Sequence, residues 1–149
     1  MNIALRKDAD AIIKESLVEV LPDEAVLKAL ESFKTVSGKL ILVAAGKAAW
    51  QMANTAVCKL GKVDKGIVIT KYGHVKGDIP GIICYEAGHP IPDDNSIRAT
   101  TAAIDMVKDL SEEDTVLFLL SGGGSSLFEA PYISGEELQD ITKQLPIIF

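Results

Sequence analysis

A run of glycines and serines, Ser121 to Ser126 (SGGGSS), has the residue types in this chain that are best suited to binding an anion. It follows five consecutive apolar residues, Val116 to Leu120, a run typical of a strand covered on both faces in a parallel sheet. Three successive glycines let the backbone turn sharply and leave N–H groups bare, and such a loop at a strand end forms a concave anion site. We therefore predict that this loop binds a carboxylate or a phosphate through Ser121, Gly122, Gly123, Gly124, Ser125 and Ser126. The alternative is a tight turn of small residues without a ligand.

The glycine-serine loop differs from three better-known motifs. No Gly-Lys-Ser/Thr follows at the spacing of a Walker A loop. Leu127 stands where a dinucleotide fingerprint needs its third glycine, and Ser125 lacks the glycine two positions later that a nucleophile elbow requires. The residue types alone therefore indicate anion binding and leave the ligand open.

A second candidate, Lys47, follows the first predicted strand, Lys39 to Ala45. Gly46 allows a turn, and the segment from Ala48 to Leu60 is predicted to form a helix, as in the opening of a βα unit. The helix dipole disfavours a cation at this end, so a lysine there is better accommodated with an anion nearby. We predict that Gly46 and Lys47 bind a phosphate or carboxylate; a solvated lysine is the alternative.

The loops after two further predicted strands, Lys65 to Thr70 and Pro80 to Glu86, add Lys71 and His89 to the candidate site. His89 lies between Gly88 and Pro90 in a stiff loop, so its direction is predicted to be fixed. It is either a ligand-binding residue or a hydrogen-bonding residue that closes the loop. His74, in a looser loop, is a weaker candidate, and the two histidines lack the spacing of metal ligands, so no metal site is predicted.

Helices are predicted between and around these strands. Asn2 to Leu21 is expected to pack through an apolar face of Ile3, Ala9, Ile12, Ile13, Leu17 and Val20. The other predicted helices are Asp23 to Phe33, Asn95 to Leu110 capped by Asp93 and Asp94, and Glu136 to Leu145 with a capping box of Ser134 and Glu137. Alternating strands and helices predict an α/β fold with a mostly parallel sheet, whose strand ends would bring the candidate loops to one edge. Trp50 and Met52 are predicted to belong to the core.

The composition excludes several classes of protein. The 149 residues fit one domain, and 48% are hydrophobic, enough for a substantial core. The formal net charge is −6 with no basic run, which argues against nucleic acid and anionic membrane surfaces as partners. No apolar run has the length of a transmembrane helix, and no signal peptide is evident, so a cytoplasmic protein is expected. The two cysteines form neither a metal motif nor a disulfide framework.

Four blocks of the sequence resemble a known family, in the same order: VAAGKAAWQMA, TKYGH, EAGHPIPD and LLSGGGSSLFEAP. They span Val43 to Pro131 and are similar to the class II glycerate 2-kinases, which carry a C-terminal MOFRL domain. The resemblance implies a Rossmann-like, three-layer α/β/α domain over residues 1–149. It also implies ATP-dependent phosphorylation of the 2-hydroxyl of D-glycerate to 2-phosphoglycerate, with Mg²⁺. Lys47 matches the family's functional lysine, and Ser121 to Ser126 match its substrate or phosphate loop.

The resemblance also has limits. Some relatives are labelled hydroxypyruvate reductase, which the sequence does not support because it lacks a dinucleotide fingerprint. Members of the family are much longer than one domain, and the closing LPIIF does not resemble their continuation. The C-terminal domain is thus expected to be absent, and the chain is expected to bind anions weakly and to be catalytically impaired alone. Its apolar end, Ile147 to Phe149, is expected to be buried against another surface, for example in a homodimer.

Two further functions stay open from the sequence. One is an α/β module that binds sugar phosphates or other anions without catalysis. The other is a truncated interaction domain that self-associates. Neither requires the phosphoryl transfer that the family resemblance implies.

Overall fold

A computed structural model describes residues 3–34 and 37–145 of the chain. Its strands are β1 (Leu40–Ala45), β2 (Lys65–Lys71), β3 (Ile82–Ala87) and β4 (Thr115–Leu120). Its helices are α1 (Ile3–Glu19), α2 (Pro22–Leu30), α3 (Ala49–Leu60), α4 (Asp94–Val107), α5 (Gly124–Leu127) and α6 (Gly135–Gln144). No helix in these two ranges is long and apolar enough to cross a membrane.

The four strands form one parallel sheet in the order β3-β2-β1-β4. Helices α2 and α3 pack on one face through Val26, Ala49 and Ala53, and α4 and α5 pack on the other through Ala99 and Leu127. This arrangement confirms the predicted α/β fold with a parallel sheet. The strand β1 is buried along its whole length because it has a neighbouring strand on each side and helices above and below.

The prediction that the strand before the glycine loop is covered on both faces is wrong. β4 pairs with β1 alone and lies at an edge of the sheet. Its side chains alternate: Val116, Phe118 and Leu120 are exposed, whereas Leu117 and Leu119 face the core beside α3. An unbroken apolar run does not reveal whether a helix covers its second face, because that depends on where the strand lies in the sheet.

The prediction that the first helix packs through an apolar face is also wrong for the described structure. α1 forms, but none of its residues is buried, and Ile12, Ile13 and Leu17 are each more than half exposed. The apolar side chains of α1 point to several sides of the helix, so they form no single stripe that could dock on the sheet. The predicted apolar end, Ile147 to Phe149, lies outside the described residues.

Capping residues start the helices close to their predicted positions. Asp93 accepts a hydrogen bond from the Ser96 N–H, and Ser96 Oγ accepts one from the Asp93 N–H, which forms a reciprocal capping box for α4. Ser134 Oγ accepts a hydrogen bond from the Glu137 N–H at 3.2 Å, which is one of the two bonds of the capping box predicted for α6. Asp114 closes the opposite end of the sheet from the candidate loops. Its carboxylate accepts from the Lys39 N–H at 2.6 Å and the Ser111 N–H at 2.9 Å.

Candidate functional site

The carboxyl ends of β1 and β4 bring Gly46 against Ser121. Ala45 and Leu120 are paired in the parallel register, so the turns after the two strands begin side by side. Gly46 has a φ of 115°, and a Cβ there would overlap Ser121 Oγ and lie 2.5 Å from the Ser121 carbonyl oxygen. Only glycine fits this position, for steric and conformational reasons together.

Hydrogen bonds join the Lys47 turn to the glycine-serine loop. The Lys47 N–H donates to the Gly122 carbonyl at 2.9 Å, and the Ala48 N–H donates to Ser121 Oγ at 2.9 Å. The Ser121 N–H in turn donates to the Ala45 carbonyl. Ser121 therefore holds the two loops together, and its side chain also accepts an N–H from the turn that precedes α3.

Gly123 is the glycine that leaves room for two functional side chains. Its φ is 86°, and a Cβ there would lie 2.6 Å from His89 Nε2 and 3.3 Å from Lys47 Cε. The imidazole of His89 and the stem of Lys47 thus both lie against the glycine backbone. Three segments that are far apart in the sequence converge here, as expected for the carboxyl edge of a parallel sheet.

The glycine-serine loop also presents backbone donors. The Gly124 N–H donates to the Ser121 carbonyl and the Ser121 N–H to Ala45, but the Gly122 and Gly123 N–H groups have no partner among residues 3–34 and 37–145. Unpaired N–H groups beside a lysine are the donors that an anion needs.

The end of β2 and the loop after it also contact the backbone of Lys47. Its carbonyl oxygen lies 2.9 Å from His74 Nδ1 and 3.4 Å from Thr70 Oγ1, at the end of β2. The contact with His74 requires the tautomer that carries the proton on Nδ1, because a carbonyl can only accept. Glu86 Oε1 accepts from the N–H groups of His74 and Val75, both at 3.0 Å, and so fixes the loop that carries this histidine.

The loop that carries His89 is anchored by Asp93. The Asp93 carboxylate accepts a hydrogen bond from Tyr72 Oη at 2.7 Å, and Asn95 Nδ2 donates to the same Tyr72 oxygen at 2.8 Å. Burial raises the pKa of Asp93, but hydrogen bonds from Tyr72, the Gly88 backbone and Ser96 outweigh it and lower the pKa overall. Asp93 therefore stays ionised near neutral pH, where it connects the β2–β3 loop to the start of α4.

Two lysines lie close enough to His89 to influence its charge, although the chain as a whole is acidic. Burial, followed by the charges of Lys47 and Lys71, lowers the pKa of His89. His89 is therefore neutral near pH 7, and one of its ring nitrogens can accept a hydrogen bond. Lys47, Lys71 and Lys76 form no ion pair with any carboxylate in the described part of the chain.

Some of the predicted site residues lie together, whereas others only shape the loop. Lys47, His89 and Gly123 lie together, with Gly122 next to them, and Lys71 is near enough to affect the charge of His89. The Gly46 N–H already donates to the Ile69 carbonyl, a Cβ on Gly124 would overlap Leu120, and Ser126 Oγ donates to the Gly123 carbonyl. These three residues shape the loop, while Ser125 is exposed at its surface.

Sequence reasoning missed several residues around this edge. Thr70, Glu86 and Tyr72 hold its loops through hydrogen bonds, and Lys76 contributes a charge. Trp50 packs against the core as predicted, but its indole N–H also donates to the Gly77 carbonyl at 2.9 Å. The only signal for these residues was their place in or just after the last residues of a strand, because their partners lie in other segments of the chain.

Comparisons with known proteins agree with the fold. The family described as a domain of unknown function, DUF4147, matches residues 8–146. The chain is similar to a D-glycerate 2-kinase of Thermotoga maritima, with 51% identity over 95% of this chain and 34% of the relative. It is also similar to a glycerate 2-kinase of Pyrococcus horikoshii, with 40% identity over 83% of this chain and 27% of the relative.

A solved structure shows the same architecture. The crystal structure of a glycerate kinase from Thermotoga maritima superimposes with a TM-score of 0.85 and 50% identity, over 95% of this chain and 34% of that chain. The chain thus spans about a third of the length of the relatives it matches. These matches confirm the resemblance found in the four sequence blocks. The chain belongs to the DUF4147 family, the N-terminal domain of the glycerate 2-kinases.

Proposed function

We propose that this chain provides the acceptor-binding half of a glycerate 2-kinase site, in which D-glycerate is phosphorylated on its 2-hydroxyl. The observation that carries the proposal is the convergence of Lys47 and His89 on the space beside Gly123 that a Cβ would occupy, in a chain of this family. The names of the similar proteins support the substrate and the use of ATP. In this proposal residues 1–149 form a Rossmann-like domain of a larger two-domain kinase.

The residues at this edge suit a carboxylated substrate. The carboxylate of D-glycerate would accept hydrogen bonds from the Gly122 and Gly123 N–H groups, with Lys47 supplying the countercharge. Neutral His89 would accept a hydrogen bond from a substrate hydroxyl. Phosphoryl transfer depends mainly on positioning and on neutralising charge, and these groups can do both.

The reaction has two other components, ATP and Mg²⁺. ATP would supply the phosphoryl group, and Lys47 is the residue here that can neutralise charge on it as well as on the acceptor. Mg²⁺ has no evident site, because the residues that the structure describes contain no group of three or more His, Cys, Asp or Glu arranged to hold a metal. We therefore assign no step to Mg²⁺ in this chain.

Calorimetric titration of the 149-residue chain with D-glycerate tests the proposal. We expect saturable binding that Lys47→Ala abolishes and that Lys59→Gln, an exposed lysine at the other end of α3, leaves unchanged. Circular dichroism would show that both variants are folded. Absence of D-glycerate binding, or binding that survives Lys47→Ala, would refute the proposed role of this edge. Binding of a sugar phosphate in place of D-glycerate would favour the anion-binding module predicted as an alternative.

A further inference from the structure

A crevice beside Lys47 is lined by no residue of the glycine-serine loop. It has a volume of about 440 Å³ and is bounded by the first turn of α3 and the loop between β2 and β3. Its lining includes Lys47, Trp50, Gln51, His74 and Lys76. The volume falls within the roughly 300–1,000 Å³ that is usual for small-molecule sites.

Hydrogen bonds across the crevice hold its two walls in place. Trp50 Nε1 on α3 donates to the Gly77 carbonyl on the loop at 2.9 Å, and His74 Nδ1 on the loop donates to the Lys47 carbonyl at 2.9 Å. Glu86 anchors the same loop from β3. The crevice is therefore preformed, which reduces the entropy cost of binding a ligand.

The charge of the crevice favours an anion. Lys47 and Lys76 both line it, and neither forms an ion pair with a carboxylate in residues 3–34 or 37–145. The nearby Asp23 carboxylate is already occupied, because it accepts hydrogen bonds from Gln51 Nε2 and from Thr55 Oγ1. The first turn of α3 adds the positive end of a helix dipole.

Lys47 also connects the crevice to the glycine-serine loop. Its Cε lies 3.3 Å from where a Cβ on Gly123 would stand, and the same side chain lines the crevice. Two places for anions thus share one lysine. A single phosphate would fill only one of these two places. A linear polyphosphate bound in the crevice would place its terminal phosphate beside Lys47.

We infer that this crevice is a subsite for a polyphosphate chain, with Lys76 as its second cationic residue. We assign this polyphosphate to the phosphoryl donor, with Lys47 between it and D-glycerate. This assignment rests on the proposed function. The chemistry that the crevice recognises is that of a linear triphosphate, either free or attached to a nucleoside.

Trp50 makes this inference directly measurable. It is the one tryptophan of the chain, so intrinsic fluorescence reports on the crevice alone. We would titrate the 149-residue chain with sodium tripolyphosphate at fixed ionic strength, because screening changes weak electrostatic binding. The expected result is a saturable change in Trp50 emission.

Two variants with the same change of charge complete the test. Lys76→Gln is expected to raise the dissociation constant for tripolyphosphate roughly two- to fivefold, as for the loss of one partly exposed charge pair. Lys59→Gln, at the far end of the same helix, is expected to leave it unchanged. Absence of a saturable response, or an equal response in all three proteins, would overturn the inference.

Two further titrations distinguish this inference from the proposed function and identify the source of the phosphates. Lys76→Gln should leave D-glycerate binding unchanged, and loss of that binding would overturn a separate subsite. If tripolyphosphate binds but D-glycerate does not, the proposed function is refuted and the inference of a polyphosphate subsite is supported. ATP binding tighter than tripolyphosphate would assign the site to a nucleotide, and equal or weaker ATP binding would assign it to the phosphates alone.

Discussion

The substitution Gly123→Ala tests the central geometry of the site. The residue has a φ of 86°, a conformation that costs an alanine about 1–2 kcal/mol. For a domain of about 150 residues, that loss lowers the melting temperature by about 2–8 °C. The new Cβ would also lie 2.6 Å from His89 Nε2 and 2.8 Å from His89 Cδ2, so the imidazole must move. We expect a modest loss of stability and a large loss of D-glycerate affinity.

Gly122→Ala is the matched control for this substitution. Its φ is outside the left-handed region, and a Cβ there would have no atom within 4 Å. We expect a change in stability below about 0.5 kcal/mol. Urea denaturation and calorimetric titration of both variants would measure the two effects. The reasoning is refuted if Gly123→Ala binds D-glycerate like the parent chain, or if Gly122→Ala loses as much stability as Gly123→Ala.

Three further predictions concern charge and packing. Lys47→Ala should raise the pKa of His89, because the variant removes a neighbouring positive charge; an NMR titration of the imidazole that shows no rise would contradict this. Backbone N–H donors lower the pKa of Asp114, so its stabilising effect is present above the unfolded-state pKa of about 3.9 and is lost as pH falls through the lower folded value. Asp114→Asn should therefore reduce the loss of stability on acidification below about pH 4, measured by denaturation across pH, and an unchanged acid profile would exclude this role. Leu127→Ala should cost about 2–5 kcal/mol because the side chain is 0% exposed, whereas Leu120→Lys, at 59% exposed, should cost less than about 1 kcal/mol; similar losses in urea denaturation would show that burial is assigned wrongly.

The structure also explains why the predicted anion site divides into residues whose N–H groups stay available and residues that build the loop. All six residues from Ser121 to Ser126 carry suitable groups, and the sequence treats them alike. In the fold, hydrogen bonds already occupy Ser121 and Ser126, while the Gly122 and Gly123 N–H groups stay available within the described residues. The difference arises from contacts made in the folded chain, because Ser121 meets the turn before α3 and Ser126 bonds to the Gly123 carbonyl of its own loop.

Local patterns in the sequence were sufficient for the strands, most helices and the parallel sheet. Apolar runs followed by glycine turns mark β1 and β4, and Asp93 marks the start of α4, because strand formation and capping depend on neighbouring residues. The alternation of strands and helices then placed Lys47 and the glycine-serine loop at one edge. The four motif blocks identified the family from the same residues.

Only the tertiary structure decided which surfaces are covered and which side chains meet. It placed β4 at an edge with Phe118 exposed, left α1 without buried residues, and brought His89 against Gly123. It also formed the crevice that Trp50 and Lys76 line. These features depend on strand order and on contacts between residues far apart in the chain, and the periodicity of a single segment carries no information about either.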